Sequence, residues 1–455
     1  MSRLNSLNSV LKAGIHLARS AVAQRALLVC RTMVPKTRMV VRRFRRPFQT
    51  RSTLLKELHS RDDAYEDRIG ELESNRWPGL WRTQTRALLP QSRREAIRDE
   101  VSKFHRYSYG SYSPGVEGWS QRWGTMQNRR VLMVCRLDTA GSAFRWAQAV
   151  NRHTAWAARL VAFEPHSYGY PTDLLFPCPE YADSDLEQLM KESTVIHVKD
   201  EDGIRSGTFR IPSDLLRKSG KPVIYTLFGG DSRTFQDDSL FQEYVRSYDA
   251  HIAMTPDLLF DWLDALYIPH AIDTDKYSFC WTPGHRIAHS PTTKSRKGTE
   301  LLVSAIDKLD DSLGVCLDVL HGLTHEECTT RKQAASLFFD QAGRELVAGQ
   351  GMGPIIGWYG NSALEAAVFG IPTLAHLSEI ALERAAEARG MVMRELSIIN
   401  VKRTSDDIRD KVAWFYSLDM RKQNDLARET RRWVEVFHSY RATAAELVRL
   451  YERLA

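Results

Sequence analysis

Residues 357–372 read Gly-Trp-Tyr-Gly-Asn-Ser-Ala-Leu-Glu-Ala-Ala-Val-Phe-Gly-Ile-Pro, and this stretch constrains the fold more than any other. Its first glycines make a turn, and the apolar run that follows predicts a helix opening near Gly360. Gly370 and Pro372 close that helix and begin a strand. Glu365 falls one turn into the helix. Free backbone N–H groups and the positive end of a helix favour an anion such as a pyrophosphate. A carboxylate at Glu365 accepts well from two ribose hydroxyls. The same residues also suit a plain helix packed on a sheet, with Glu365 in solvent.

The chain from residue 130 onward alternates between strand and helix. Strands are expected at 131–135, 160–163, 195–198, 222–228 and 250–254, with a helix opened by Gly141 and Ser142 after the first. The pattern resets around 267–279. A second series then places strands at 287–289, 316–320, 337–339 and 373–376, and helices at 298–308 and 325–333. Such alternation predicts an α/β protein with parallel, doubly wound sheets, and 455 residues exceed one ordinary core. The expected organisation is an N-terminal extension with a helical segment and linker (1–127), a first domain (128–270), a second domain (271–420) and a C-terminal helix packing back across both (421–455).

Several stretches together resemble the GT-B fold glycosyltransferases, in particular the glycosyltransferase family 4-like group (glycosyl transferases group 1). The first is residues 357–372. The second, His-Ser-Pro-Thr-Thr-Lys-Ser-Arg-Lys-Gly-Thr-Glu-Leu-Leu at 289–302, is similar to the strand, loop and helix start that carry the family's Lys-Gly. The third joins Gly-Leu-Thr-His-Glu-Glu at 322–327 to Asp340-Gln341, shortly before Gly-Trp-Tyr-Gly. An insert at 342–356, rich in glycine, separates the last two and reads either as a lid or as a neutral surface excursion. Phe-Gly-Gly-Asp-Ser-Arg at 228–233 is similar to a His-Gly-x-Asp-x-Arg pattern, with Phe228 in place of the histidine. Ile-Pro-His-Ala-Ile-Asp at 268–273 resembles the Pro-Asn-Gly-Val-Asp crossover between GT-B domains, with His270 and Ala271 as departures.

The resemblance implies two Rossmann-like domains facing a cleft. It implies transfer of a hexose-like unit from a nucleotide sugar, with retention and with no metal or other cofactor. Lys297 would contact the donor diphosphate and Glu365 the ribose. Lys294, Gly298, Gly360, Asn361 and Gly141 would line the donor site. Thr292 stands where the family carries an arginine, and Lys294 or Arg296 would substitute. Asp231 and Arg233 would face the acceptor, with Asp231 as a catalytic base. Two plainer readings stay open: a solvated loop at 294–297, and a turn in which Asp231 pairs with Arg233. Gly357 occupies the place of the family's first glutamate, which contacts the transferred sugar. Sugar recognition must then come from elsewhere, or the chain is a GT-B-like binding or scaffold protein without catalysis. The acceptor, whether glycan, lipid or protein, is not legible.

Charge sets the amino-terminal part aside. No acid precedes Glu57, while that segment holds 13 of the 63 Lys and Arg residues, so the remaining 50 face 56 acids. The formal charge of +7 therefore belongs to the leader. Residues 1–56 suit an anionic membrane surface, an organelle transit peptide or a solvated arm. No nucleic-acid recognition module accompanies them. Six scattered cysteines without a Cys-x-x-Cys pair fit a reducing cytoplasmic setting. No run is apolar and long enough to span a bilayer. Neither a Gly-x-Ser-x-Gly elbow nor a P-loop is present. Asp273-Thr-Asp275 has the form of a metal-binding Asp-x-Asp but falls at the crossover, where a structural role is expected.

Overall fold

A computed structural model describes residues 116–455, apart from 165, 167, 176–178, 200–215, 217–218, 344–356 and 391–394. The basic leader, the helical segment expected within 1–127, most of the linker before residue 128 and most of the 342–356 insert lie outside the described residues.

The first half runs α1 (Trp119–Thr125), β1 (Arg130–Leu137), α2 (Ser142–His153), β2 (Ala157–Glu164), β3 (Leu174–Leu175), α3 (Pro179–Glu192), β4 (Val195–Val198), β5 (Val223–Leu227), α4 (Gly229–Thr234), α5 (Ser239–Arg246), β6 (Ala250–Ala253) and β7 (Leu266–Tyr267). Its strands form one sheet in the order β3-β2-β1-β4-β5-β6-β7, every pair parallel. The order reverses at β1, which pairs with both β2 and β4: Val131 lies opposite Ala158 on one side and Val195 on the other. β1 is an almost unbroken apolar run because both its faces are covered. Val131, Met133 and Cys135 join one core with α2, while Leu132 and Val134 join another with Leu186 and Met190 of α3.

The second half runs β8 (Arg286–His289), α6 (Lys294–Lys297), α7 (Thr299–Ile306), β9 (Cys316–Val319), α8 (His325–Lys332), β10 (Leu337–Gln341), α9 (Asn361–Ala367), β11 (Thr373–Ala375), α10 (Glu379–Arg389) and β12 (Ile398–Asn400). The strand order is β12-β11-β10-β8-β9, again parallel throughout. This order also reverses at its first strand, β8, and ligands of such sheets bind beyond the carboxyl ends at that point.

The tail is three helices, α11 (Ser405–Ser417), α12 (Met420–Phe437) and α13 (Tyr440–Leu454). Asp419 and Ser439 restart the chain, each accepting from a backbone N–H of the following helix (Lys422 and Ala442). Ala427, Trp433 and Val434 of α12 belong to the core of the second sheet. Ala444, Leu447, Leu450 and Tyr451 of α13 belong to a core of the first. Each such buried side chain is worth roughly 2 kcal/mol, so the tail ties the two halves together. Among the described residues no helix is long and apolar enough to cross a membrane.

Candidate functional site

Lys297 and Glu365 come from separate segments, and Asp340 links Lys297 to the turn that opens the Glu365 helix. β8 ends at His289, and the short α6 delivers Lys297 to Gly298. Gly298 has φ +75°, and a Cβ there would lie 2.6 Å from the Gly343 carbonyl oxygen, so only glycine fits. Among the described residues no side chain caps the N–H groups that open α7. Lys297 Nζ donates to Asp340 Oδ1 at 3.2 Å, at the carboxyl end of β10. The other oxygen of Asp340 accepts from the Gly360 N–H at 2.8 Å, immediately before α9. Asp340 thus links the lysine to the start of the Glu365 helix, and a Cβ on Gly360 would stand 3.7 Å from Lys297 Nζ. Lys294 and Arg296 are exposed.

Glu365 is buried, which overturns the solvated alternative. Its Oε1 accepts from Arg145 at 2.5 Å and lies 3.1 Å from His325 Nε2. Its Oε2 accepts from Lys332 Nζ at 2.7 Å. The Tyr170 hydroxyl bonds to it as well. Asn361 Oδ1 accepts from Arg145 at 3.2 Å. Arg145 and Tyr170 come from the first half, the others from the second, so this carboxylate is a junction between the sheets. Burial by itself would raise its pKa. Lys332 and Arg145, with His325, outweigh burial and hold the carboxyl well below the usual range. The ring centroids of Tyr170 and His325 are 4.3 Å apart. A Cβ at Gly141, φ +64°, would meet Tyr170 Cδ1 at 2.8 Å, so this glycine makes room for the tyrosine beside Glu365.

The carboxyl edge of the first sheet carries its own ion pair. Asp138, just after β1, accepts from the Ala143 and Phe144 N–H groups at 2.9 and 2.8 Å and from Lys199 Nζ at 2.8 Å. Lys199 follows β4, also bonds Ser142 Oγ, and lies 4.4 Å from the centre of the Phe228 ring. Arg233 donates to both oxygens of Asp257, at 2.5 and 3.1 Å, and to Thr255 Oγ1 at 2.9 Å. Among the described side chains its acidic partner is Asp257. Asp231 lies in α4, and its side chain is outside the described residues.

Gly357 explains a departure visible in the sequence. A Cβ there would collide with Ser378, 2.6 Å from its Cβ and closer still to its Oγ. No glutamate fits. Asp273 accepts from the Asp275 and Lys276 N–H groups and from Arg152, the structural turn expected at the crossover. No cluster of metal-ligating side chains occurs among the described residues. A hollow of about 420 Å³ lies away from these charges, at the amino end of β5, where Lys221, Pro222 and Tyr248 line it. Its ionisable lining is Lys221, Tyr248 and Asp249, at the end of the sheet opposite to the carboxyl edge where ligands of such folds bind.

Sequence reasoning missed Arg145, Tyr170, Lys332 and Lys199. Arg145 lies between Phe144 and Trp146 with no motif around it, and Lys332 reads as an ordinary basic helix end.

No family model matches the chain, and no curated protein matches it. Solved structures do. Anabaena HepE, in complex with UDP and glucose, aligns with a TM-score of 0.51 at 12% identity, over 71% of this chain and 99% of that one. An alpha-glucosyltransferase, in complex with UDP and a 13-mer DNA containing a central A:G mismatch, aligns with a TM-score of 0.50 at 10% identity, over 71% and 99%. At these identities the likeness speaks for the architecture alone, two parallel Rossmann-like sheets. The chain has the fold of the GT-B glycosyltransferases.

Proposed function

We propose that the chain is a glycosyltransferase whose donor is a nucleotide sugar. The observation that supports this reading is the link from Lys297 through Asp340 to the Gly360 turn that opens the Glu365 helix. A nucleoside diphosphate gains negative charge as it leaves, and a fixed ammonium at Lys297 stabilises that charge in the transition state. The N–H groups opening α7 favour the same negative charge. Glu365, held ionised, accepts from the ribose hydroxyls, which take the places of Arg145 and His325 on Oε1 while Lys332 keeps Oε2. Donor binding then loosens the tie between the sheets.

In the finer reading, the unit moved is a hexose, and it moves with retention and without a metal. The bond from the anomeric carbon to the diphosphate breaks as the bond to the acceptor oxygen forms, through an oxocarbenium-like state. Asp231 and Arg233 face the acceptor, a glycan, lipid or protein. Arg233 does so through the rigid hold of Asp257. Incubating the full chain with UDP- and GDP-hexoses and following nucleoside diphosphate release tests the reading. Release that Lys297→Ala abolishes supports it.

A second reading is a scaffold that binds nucleotide or glycan without transfer. The collision awaiting any side chain at Gly357 favours it, because the family's sugar-contacting glutamate has no room. Tight nucleotide binding with no turnover of any donor would decide for it.

A further inference from the structure

His270 stands at the crossover between β7 and β8, where hydrogen bonds hold its carbonyl and that of Pro269. Trp146 Nε1, on α2, donates to the Pro269 carbonyl at 3.3 Å. His438 Nδ1, at the end of α12, donates to the His270 carbonyl at 2.7 Å. His438 Nε2 in turn lies 3.0 Å from the Tyr359 hydroxyl, one residue before Gly360. One ring nitrogen is unmet. His270 is 6% exposed, and its buried Nδ1 has no hydrogen-bond partner. A polar atom left in that state costs about 1–3 kcal/mol, so in a native fold it calls for an explanation.

The surroundings supply one. Lys199 and Arg145 from the first half, and His438 and Lys297 from the second, all act on the ring's charge. The three strong cations are each tied to one acid: Lys199 to Asp138, Arg145 to Glu365, Lys297 to Asp340. Lys332 also bonds to Glu365, so the junction has one cation more than it has acids. An imidazole placed there suits an incoming anion.

We propose that His270 contacts the diphosphate of the bound nucleotide and takes up a proton as that anion enters. The inference rests on the donor reading above and adds to it a residue at the crossover, where the resembling chains carry asparagine. Without ligand the imidazole is neutral: burial first, then Lys199, His438, Arg145 and Lys297, push its pKa well below 6.5. A diphosphate among these groups reverses the sign of the local field and raises the pKa. Between the free and bound values binding consumes protons, so affinity strengthens as pH falls through that window. In the other direction, above the bound value, His270 contributes no charge.

The test is titration calorimetry of the full chain with UDP and with GDP at pH 6 and pH 8, in two buffers of different ionisation enthalpy. His270→Asn and His270→Gln are run in parallel, after thermal melts that match the parent. The nucleotide's own titration is common to all three proteins and cancels in the comparison. The parent is expected to take up more protons at pH 6 than either variant, and to lose roughly tenfold more affinity than they do between pH 6 and 8, the equivalent of one pKa unit. Binding with the same proton uptake in parent and variants overturns the role of His270 and leaves the donor site standing. Absence of binding by UDP, GDP and inorganic pyrophosphate in the parent overturns the donor reading itself, and this inference with it.

Discussion

Both halves of the molecule build the same device at the strand where their sheet order reverses, and they fill it differently. In each, the strand leads to a glycine in the left-handed region, Gly141 or Gly298, and then to a helix. In the first half a carboxylate of the chain occupies the helix start: Asp138 accepts two of its N–H groups and neutralises Lys199. In the second half no side chain among the described residues caps α7, and Lys297 precedes it instead. A helix start already holding an internal anion has no need of an external one, whereas an open start beside an ammonium does. The contrast supports the proposal that a donor diphosphate binds at the second half and an acceptor at the first.

The largest expected effect tests that asymmetry. Lys297→Ala should lower turnover by about 10²–10³-fold, the usual loss for one stabiliser of developing charge. Asp138→Asn keeps a capping oxygen and should change turnover only a few-fold. Equal losses in steady-state assays of the two variants would break the contrast.

Next comes the junction that joins the halves. Lys332→Met leaves Glu365 short of its buried partner and should destabilise the protein by about 3–5 kcal/mol, read as the midpoint of denaturant unfolding. Adding Glu365→Leu removes the stranded charge and should recover much of that loss. A Lys332→Met variant as stable as the parent would mean that Arg145 and His325 hold Glu365 unaided.

A smaller effect compares one buried histidine from each half. Burial lowers His197 to about 3 and His289 to about 4. Both folded values lie below the unfolded 6.5, so the unfolded chain binds more protons between them. The contribution is complete above about pH 6.5 and is lost as pH falls toward 4, by at most about 1.4 kcal/mol per pH unit for each site. Unfolding midpoints measured from pH 7 to pH 4 should fall, and His289→Gln should flatten the slope. A slope unchanged by that substitution would exclude His289 as a source.

The smallest effect concerns Gly357. Gly357→Ala should cost about 1–3 kcal/mol by overpacking against Ser378, and Ser378→Gly in the same chain should restore most of it. A neutral Gly357→Ala melt would reopen the place of the missing glutamate.

Much of the fold was legible because parallel strands covered on both faces leave unbroken apolar runs. The expected strand at 195–198 coincides with β4, and the one at 250–254 differs from β6 by a single residue. β3, β7 and β12 escaped notice because two or three residues make no pattern. α10 was missed too: its apolar positions are mostly alanines, which mark no face. The candidate site was legible only where local chemistry is unusual, as in Lys297-Gly298 and in Glu365 after its glycine turn. Arg145, Tyr170 and Lys332 carry no such mark. Their meaning arises from the approach of α2 and α8 to α9, which pairs residues far apart in the chain. His270 was visible only as a departure from a motif, and its burial among cations gives the departure a physical content.

The central claim is that a nucleoside diphosphate binds at the edge of the second sheet. A crystal of the full chain soaked with UDP, and another with GDP, tests it most directly. The account predicts diphosphate oxygens within hydrogen-bonding distance of Lys297 Nζ and the N–H groups that follow Gly298, with ribose hydroxyls on Glu365. Density for the diphosphate beside Lys199 and Asp138 instead, or a Glu365 still bound by Arg145 and His325 with nucleotide present, would contradict it.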